Sequence, residues 1–159
     1  MSKVLFLHGL ESMPGGIKPK HLRNLGYDVI DPGLPKGNFE ESVEIAQGEI
    51  DGENPDVVVG SSRGGAVAMA LDLKGAKLVL IAPAWRRFDV PPNVPSGTTI
   101  LHCPTDKVVY IEDSEELMSN PGIEVIRCGA GHRMGDPDAL EQLRYAVEGP
   151  RGHFSKNTE

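Results

Sequence analysis

One short segment of the chain combines the residue types that nucleophilic catalysis needs. Residues 57–66 read VVVGSSRGGA, so a G-x-S-x-G pattern lies between a continuously apolar run and the start of an apolar, helix-length segment. In such a strand-to-helix turn the central residue is strained, and the residues two before and two after it must be very small. For Ser62 those residues are Gly60 and Gly64, whereas Ser61 has larger residues at both positions. The pattern favours Ser62 as a nucleophile, with an ordinary serine N-cap as the alternative.

The elements that must position this serine follow from short apolar runs that alternate with helix-length segments. Strands separated by helical patterns predict crossover units and a parallel sheet. Two of the runs, 57–59 and 78–81, are apolar throughout, which is typical of strands covered on both faces. We therefore predict an α/β fold with helices on both faces of about six mostly parallel strands. The predicted strands are 4–7, 27–30, 57–60, 78–82, 99–103 and 123–127, and the predicted helices are 18–25, 39–50, 63–73, 111–118 and 137–147.

The boundaries of this pattern carry their own signals. Asp136 is placed to cap the last helix, with Pro137 at its first position. Residues 31–37 and 89–97 are rich in proline and glycine and predict loops. We expect one domain over residues 1–148, followed by a polar tail at 149–159.

These features together resemble a small member of the α/β-hydrolase family. Members of that family carry a serine, an acid and a histidine in that chain order, with the acid and the histidine on loops after later strands. The resemblance implies Ser62, Asp106 and His132 as a catalytic triad. Asp106 follows the fifth predicted strand in CPTDKVV, and His132 follows the sixth in GAGHRM. His153, in the tail, is the alternative base, and Asp113 is the alternative acid, although its position fits the first turn of a helix.

The resemblance also implies an oxyanion hole made of backbone amides. One donor would be the N–H of Arg63, which follows the nucleophile, and the other the N–H of Leu10, in the loop after the first strand. Gly9 would let that loop turn. We take His8, beside it, as a structural histidine.

The same resemblance predicts a reduced architecture. The six strands match the family's third to eighth strands, in the spatial order 2-1-3-4-5-6, so the first two edge strands of the family are missing. A cap would enter after the fourth strand, where only residues 83–97 are available. We therefore expect a three-layer α/β-hydrolase core that lacks a cap domain and has a comparatively open site.

The substrate-binding side chains are a further hypothesis from the topology. We expect them to be Met13, Trp85, Arg86, Arg87 and Met134. Arg63 and Arg133 would join Arg86 and Arg87 near the mouth of the site and favour an ester with an anionic group. The alternative is that the arginines point into solvent or pair with local acids, such as Glu11, Asp89 and Asp136.

Composition excludes several other classes of protein. The net charge of −7 over 159 residues disfavours a nucleic-acid binder, because such proteins neutralise phosphates with lysine and arginine. No apolar run is long enough for a membrane span and the N-terminus shows no signal peptide, so we expect a cytoplasmic protein.

Cys103 and Cys128 fall near the ends of neighbouring strands, where two buried thiols are favoured over a disulfide. No zinc-like spacing or phosphate-binding glycine loop indicates a metal or other cofactor.

The residues and the resemblance together predict a serine hydrolase, most simply a carboxylesterase for small or exposed acyl esters. Thioester or lactone hydrolysis is an alternative on the same machinery. A binding protein that keeps the fold without catalysis is the rival from another class, and a nucleotide-binding domain is a third possibility.

Overall fold

The computed structural model describes residues 2–10 and 12–149. Six strands form a single sheet: β1 (Lys3–Leu7), β2 (Asp28–Ile30), β3 (Val57–Ser61), β4 (Lys77–Ile81), β5 (Thr99–His102) and β6 (Glu124–Arg127). The five helices are α1 (Ile17–Asn24), α2 (Phe39–Glu53), α3 (Arg63–Met69), α4 (Ile111–Glu116) and α5 (Pro137–Glu148), with a 3₁₀ turn at Leu117–Ser119. The predicted tail lies outside the described residues, apart from Gly149.

All of the strand pairs are parallel, in the spatial order β2-β1-β3-β4-β5-β6. This order confirms the prediction from the resemblance. The six predicted strands are all present, with bounds that differ by a residue or so at their ends. Parallel strands need crossovers, and a helix lies in most of the connections between them.

The helices cover both faces of the sheet, as predicted. Leu22 of α1 and Leu143 of α5 pack in one apolar cluster with side chains such as Val59. On the other face, Ile50 of α2 packs in a second cluster with α3 and with side chains such as Val58. Because consecutive strand residues point to opposite faces, a strand covered on both sides must be apolar throughout.

The helix boundaries differ most from the prediction at the end of α3. Asp136 caps α5 as predicted, since its side chain accepts a hydrogen bond from the backbone N–H of Ala139. Helix α3, however, ends at Met69 and not at residue 73. The side chain of Gln47 in α2 bonds to both the backbone N–H and the C=O of Asp72, which holds that residue outside the helical ladder.

The chain after β4 carries no cap. Residues 82–98, all of which are described, form turns and bends that contain no helix. The carboxyl end of the sheet is therefore left without a covering domain in this connection. Nowhere in the described ranges is there a helix long and apolar enough to cross a membrane.

Close contact between α3 and the sheet depends on two glycines. A Cβ on Gly64 would lie 2.1 Å from the carbonyl oxygen of Leu7, and a Cβ on Gly60 would lie 2.4 Å from that of Gly64. Both distances are far inside van der Waals contact with backbone atoms, which cannot move aside. The small residues that the sequence pattern demanded are therefore required by the packing of α3 on β1 and β3.

We predict that Gly64→Ala lowers the free energy of unfolding by about 3 kcal/mol, because the added methyl group must push α3 away from β1. Gly48→Ala is the matched control, since Gly48 lies inside α2 with no atom near its Cβ position. That control should stabilise the protein by about 0.5 to 1 kcal/mol. Urea unfolding of both variants measures the two effects, and a well-tolerated Gly64→Ala would contradict the packing described here.

Candidate active site

Ser62 occupies a strained turn between β3 and α3. Its backbone has φ 55° and ψ −115°, outside the regions that L-residues prefer. The turn is held from both sides, because the N–H of Ser62 donates to Ile81 at 2.8 Å and its carbonyl accepts from Ala84 at 3.0 Å. Such strain costs about 1 to 3 kcal/mol and persists only where the surroundings enforce it. The result is a half-buried serine at the carboxyl end of a central strand.

The Ser62 hydroxyl meets a histidine. Ser62 Oγ lies 3.0 Å from His132 Nε2, and His132 Nδ1 lies 2.7 Å from Asp106 Oδ2. An ionised carboxylate can only accept, so Nδ1 carries the proton and Nε2 is free to accept from the serine hydroxyl. The three side chains thus form a single hydrogen-bonded line, and the His132 side chain remains 21% exposed.

The loop that carries His132 is fixed by carboxylates and a lysine. Asp138 accepts from the N–H of Gly129, and Asp136 accepts from that of Ala130, each at 2.9 Å. From the other side, Lys18 Nζ donates to the carbonyl of Arg133 at 2.6 Å. Burial, and secondarily the charge of Arg133, lowers the pKa of Lys18 to about 8. His132 is therefore placed by contacts from both α1 and α5.

Asp106 sits in a tight turn after β5. Its Oδ1 accepts from the backbone N–H groups of Val108 at 2.8 Å and Val109 at 3.0 Å, while Oδ2 faces His132. The side chain is completely buried. Burial alone would raise the pKa of Asp106, but the hydrogen bonds from His132 and from the two amides outweigh it and hold that pKa below its ordinary value. Asp106 is therefore a buried carboxylate that stays ionised.

The loop after β1 runs beside the serine. A Cβ on Gly9 would lie 3.3 Å from Ser62 Cβ. His8 braces this loop, because its Nε2 accepts from the N–H of Leu34 at 3.1 Å and its Nδ1 donates to the carbonyl of Gly9 at 2.9 Å. Arg63 is the first residue of α3, so its N–H has no acceptor within the helix. The segments that carry the Leu10 and Arg63 amides both border Ser62.

Several predicted substrate-binding side chains are engaged elsewhere. Trp85 is 4% exposed and donates its Nε1–H to the carbonyl of Asp113, so it is a core residue and not part of an open site. Met134 is 2% exposed and packs under the histidine loop against Gly129, so its side chain is also buried and is not part of an open site. Met13 is exposed, as a residue at the mouth of the site would be.

The arginines do not form the predicted anion-binding mouth. Arg63 is 2% exposed, donates to the carbonyl of Pro35 at 2.8 Å, and lies against the rings of Phe39 and Phe88. Arg86 pairs with the acids of α4, bonding Asp113 at 3.0 Å and also Glu116. Arg86 thus pairs with local acids, as in the alternative interpretation, although the acids are Asp113 and Glu116. Arg63 fits neither interpretation, because its guanidinium is buried against aromatic rings and a carbonyl oxygen.

Arg87 and Arg133, in contrast, have exposed side chains. Arg87 makes one long contact, 3.5 Å, to the carbonyl of Val108 in the loop of Asp106. The hypothesis of an anionic substrate is therefore not supported by Arg63 or Arg86, and only the exposed Arg87 and Arg133 still agree with it.

Cys103 and Cys128 are free and buried, in agreement with the favoured interpretation of two separate thiols.

One buried polar residue next to the site was absent from the sequence-based candidates. His102, the last residue of β5, is fully buried, and its Nε2 lies 3.3 Å from Asp106 Oδ2. A histidine four residues before the acid, at the end of an apolar strand, was the available signal. It was insufficient, because the sequence does not reveal that the turn folds Asp106 back onto the strand end.

Solved structures resemble this chain at low sequence identity, while no family model and no curated protein sequence matches it. The predicted CIB-like hydrolase from Thermoplasma acidophilum superposes with a TM-score of 0.71 at 20% identity, over 92% of this chain and 84% of that one. The monoacylglycerol lipase from Paleococcus ferrophilus gives 0.70 at 15%, over 92% of both chains. For the esterase domain of a Rhodothermus marinus protein the values are 0.66 and 19%, over 92% and 83%. At these identities the likeness shows the fold, which is the α/β-hydrolase fold.

We predict that Asp106 makes the stability of the protein depend on pH. Its pKa is lowered in the folded state, so the stabilisation is fully present above the ordinary value of 3.8 and is lost as the pH falls through the lowered pKa. Asparagine has no such titration. The difference in unfolding free energy between the wild type and Asp106→Asn should therefore be large at about pH 7 and shrink below about pH 4.

Urea unfolding at a series of pH values measures this difference. The matched control is Asp89→Asn, which removes the same charge from an exposed residue whose φ of 57° asparagine also tolerates. A pH-independent difference for Asp106→Asn would mean that the buried carboxylate is not held ionised by its hydrogen bonds.

Proposed function

We propose that this protein is a serine hydrolase that cleaves small or exposed acyl esters through an acyl-enzyme. One observation carries the proposal, the unbroken line of hydrogen bonds from Ser62 Oγ through His132 to the buried Asp106. Two bonds of 3.0 and 2.7 Å give the nucleophile a base and the base an orienting carboxylate. The strained turn at Ser62 supports the same proposal, because strain of this kind clusters at catalytic positions.

In the proposed reaction, Ser62 Oγ attacks the carbonyl carbon of the ester while His132 Nε2 takes the hydroxyl proton. Asp106 holds the imidazole with its proton on Nδ1 and stabilises the imidazolium that forms. His132 then gives the proton to the departing alcohol, and the C–O bond of the ester breaks. Water repeats the sequence on the acyl-enzyme, with His132 again as base, and releases the acid and free Ser62.

The negative charge that develops on the carbonyl oxygen needs donors that are already in place. We propose the backbone N–H groups of Arg63 and Leu10 for this task. The amide of Arg63 is left without a helical acceptor, and the loop of Leu10 is held beside the serine through Gly9 and His8. Backbone donors fixed by the fold need no reorganisation when the charge appears, which is why they stabilise the transition state strongly.

The open carboxyl end of the sheet favours a small or exposed ester over a long chain that needs a covered tunnel. Residues 82–98 form no cap helix, and His132 retains access to solvent. Two of the structural neighbours are named an esterase domain and a monoacylglycerol lipase, which supports ester hydrolysis as the reaction class. A thioester or lactone presents the same carbonyl to the same groups, and rates on matched oxygen and sulfur esters separate these alternatives.

We predict that a fluorophosphonate probe forms one covalent adduct with the protein, on Ser62. Ser62→Ala should abolish labelling and turnover of a short-chain acyl ester, because the adduct needs an oxygen activated by His132. The matched control is Ser61→Ala, which removes the neighbouring hydroxyl at the buried end of β3. Intact-mass spectrometry and the ester assay measure both effects.

Two results would count against this assignment. Labelling that survives in Ser62→Ala and disappears in Ser61→Ala would move the nucleophile by one residue. A wild-type protein that neither reacts with the probe nor hydrolyses any ester in a panel would favour a non-catalytic protein on this fold.

We also predict that Asp106→Asn reduces kcat by roughly 10³- to 10⁴-fold, because an asparagine in this place favours the wrong imidazole tautomer. KM should change far less. Asp113→Asn serves as the control, since Asp113 is the alternative acid and its carboxylate pairs with Arg86 instead. Steady-state kinetics at about pH 8 separate the two, and near-normal turnover in Asp106→Asn would show that Asp106 is not the orienting acid.

A further inference from the structure

A second histidine and a second serine are buried next to Asp106. His102 ends β5 and Ser114 lies in α4, and both residues are fully buried. His102 Nδ1 is 2.6 Å from Ser114 Oγ, and His102 Nε2 is 2.8 Å from the carbonyl oxygen of Val109. The same Nε2 lies 3.3 Å from Asp106 Oδ2. Two polar side chains are thus buried together against the acid of the proposed triad.

The partners of His102 determine where its proton lies. Nε2 faces two acceptors, a carbonyl oxygen and a carboxylate oxygen, so it must carry a hydrogen. Nδ1 faces a hydroxyl, which can donate to it. In the opposite tautomer a bare Nε2 would face two oxygens with no hydrogen between them, and buried polar atoms without partners are strongly unfavourable. The ring therefore donates from Nε2 and is backed by the Ser114 hydroxyl.

This arrangement locks the turn that carries the acid. Val109 gives its N–H to Asp106 Oδ1 and receives the His102 N–H on its carbonyl, so both of its backbone groups hold the turn. Asp106 Oδ2 lies between His102 and His132, at 3.3 and 2.7 Å. The carboxyl group cannot rotate about its Cβ–Cγ bond without losing contacts on both oxygens.

We infer that His102, backed by Ser114, is a positioning residue that fixes the Asp106 carboxylate in the orientation in which Oδ2 meets His132. The inference rests on the proposed function, since it assigns His102 to the same triad. The contacts form one continuous line of buried and half-buried groups, from Ser114 through His102, Asp106 and His132 to Ser62. In the part of the chain that the structure describes, no hydrogen bond or ion pair joins His102 to Ser62 or His132, so His102 acts through Asp106 and the turn at Val109.

The test compares two substitutions of His102. Glutamine places an amide N–H near the position of Nε2 and keeps a donor toward Val109 and Asp106, whereas leucine fills similar space without a donor. We expect His102→Leu to lower kcat by about 10- to 100-fold with KM little changed, because the Asp106 carboxylate is no longer held in its orientation toward His132. His102→Gln should recover most of that loss. Lys107→Ala, in the same loop but exposed, is the control for a general disturbance of the turn.

A second measurement does not depend on turnover. Nitrogen-15 NMR of the wild type should show His102 with its proton on Nε2. Proton NMR should show a low-field signal from the His132 Nδ1–H, which is hydrogen-bonded to Asp106. That low-field signal should weaken or vanish in His102→Leu and persist in His102→Gln. If His102→Leu does not fold, Ser114→Ala provides a milder loosening of the ring, with a partial loss of kcat and of the same signal.

The outcomes separate the two proposals. A His102 ring protonated on Nδ1 alone, wild-type kcat in His102→Leu, or an equal loss in the leucine and glutamine variants would overturn the positioning role. A wild type with the expected NMR signals but no reaction with esters or with the fluorophosphonate probe would overturn the proposed function and leave the contact between His102 and Asp106 standing.

Discussion

The close approach of α3 to β1 and β3 is the constraint on which the rest of the site depends. Gly64 lets the backbone of α3 reach the carbonyl of Leu7, and Gly60 admits the first turn of the helix against β3. The chain must then reverse within one residue, which forces Ser62 to a positive φ. The same approach brings the loop after β1 beside the serine. A single steric condition therefore sets both the exposure of the Ser62 hydroxyl and the closeness of the loop after β1 to it.

The parallel sheet supplies the remaining groups, because the carboxyl ends of all its strands lie at one edge. Asp106 follows β5 and His132 follows β6, and these neighbouring strands are joined again where the N–H of Cys128 donates to the carbonyl of His102. Burying a carboxylate opposes its ionisation, so the site needs enough donors around Asp106 to reverse that effect. The hydrogen bonds from His132 and from two backbone amides outweigh the effect of burial and hold the pKa of Asp106 below its ordinary value. These hydrogen bonds keep the acid charged and, together with the contact from His102, fix its direction.

Local signals predicted much of this structure. Uninterrupted apolar strands, the glycine register around Ser62 and the cap at Asp136 each depend on neighbours in the sequence, and each feature is present. The predicted end of α3 was wrong, because Asp72 bonds to Gln47, twenty-five residues earlier in the chain, instead of continuing the helix. The burial of Trp85 and Met134 was not predicted, because aromatic and thioether side chains suit a core and a binding site equally well. Contacts between distant segments leave no pattern in a single sequence.

Arg63 stabilises the scaffold through its side chain, while its backbone N–H is one of the two donors proposed for the oxyanion. Its guanidinium is buried against the stacked rings of Phe39 and Phe88, and one nitrogen donates to Pro35, although Nε finds no acceptor among the described residues. Burial lowers its pKa, so the contacts with the rings must offset part of the desolvation of the charge. The contacts of the guanidinium join the first turn of α3 to Pro35 in the loop after β2, to Phe39 at the start of α2 and to Phe88 after β4. The side chain thus holds in place the helix end that follows Ser62, and its charge is directed into the protein.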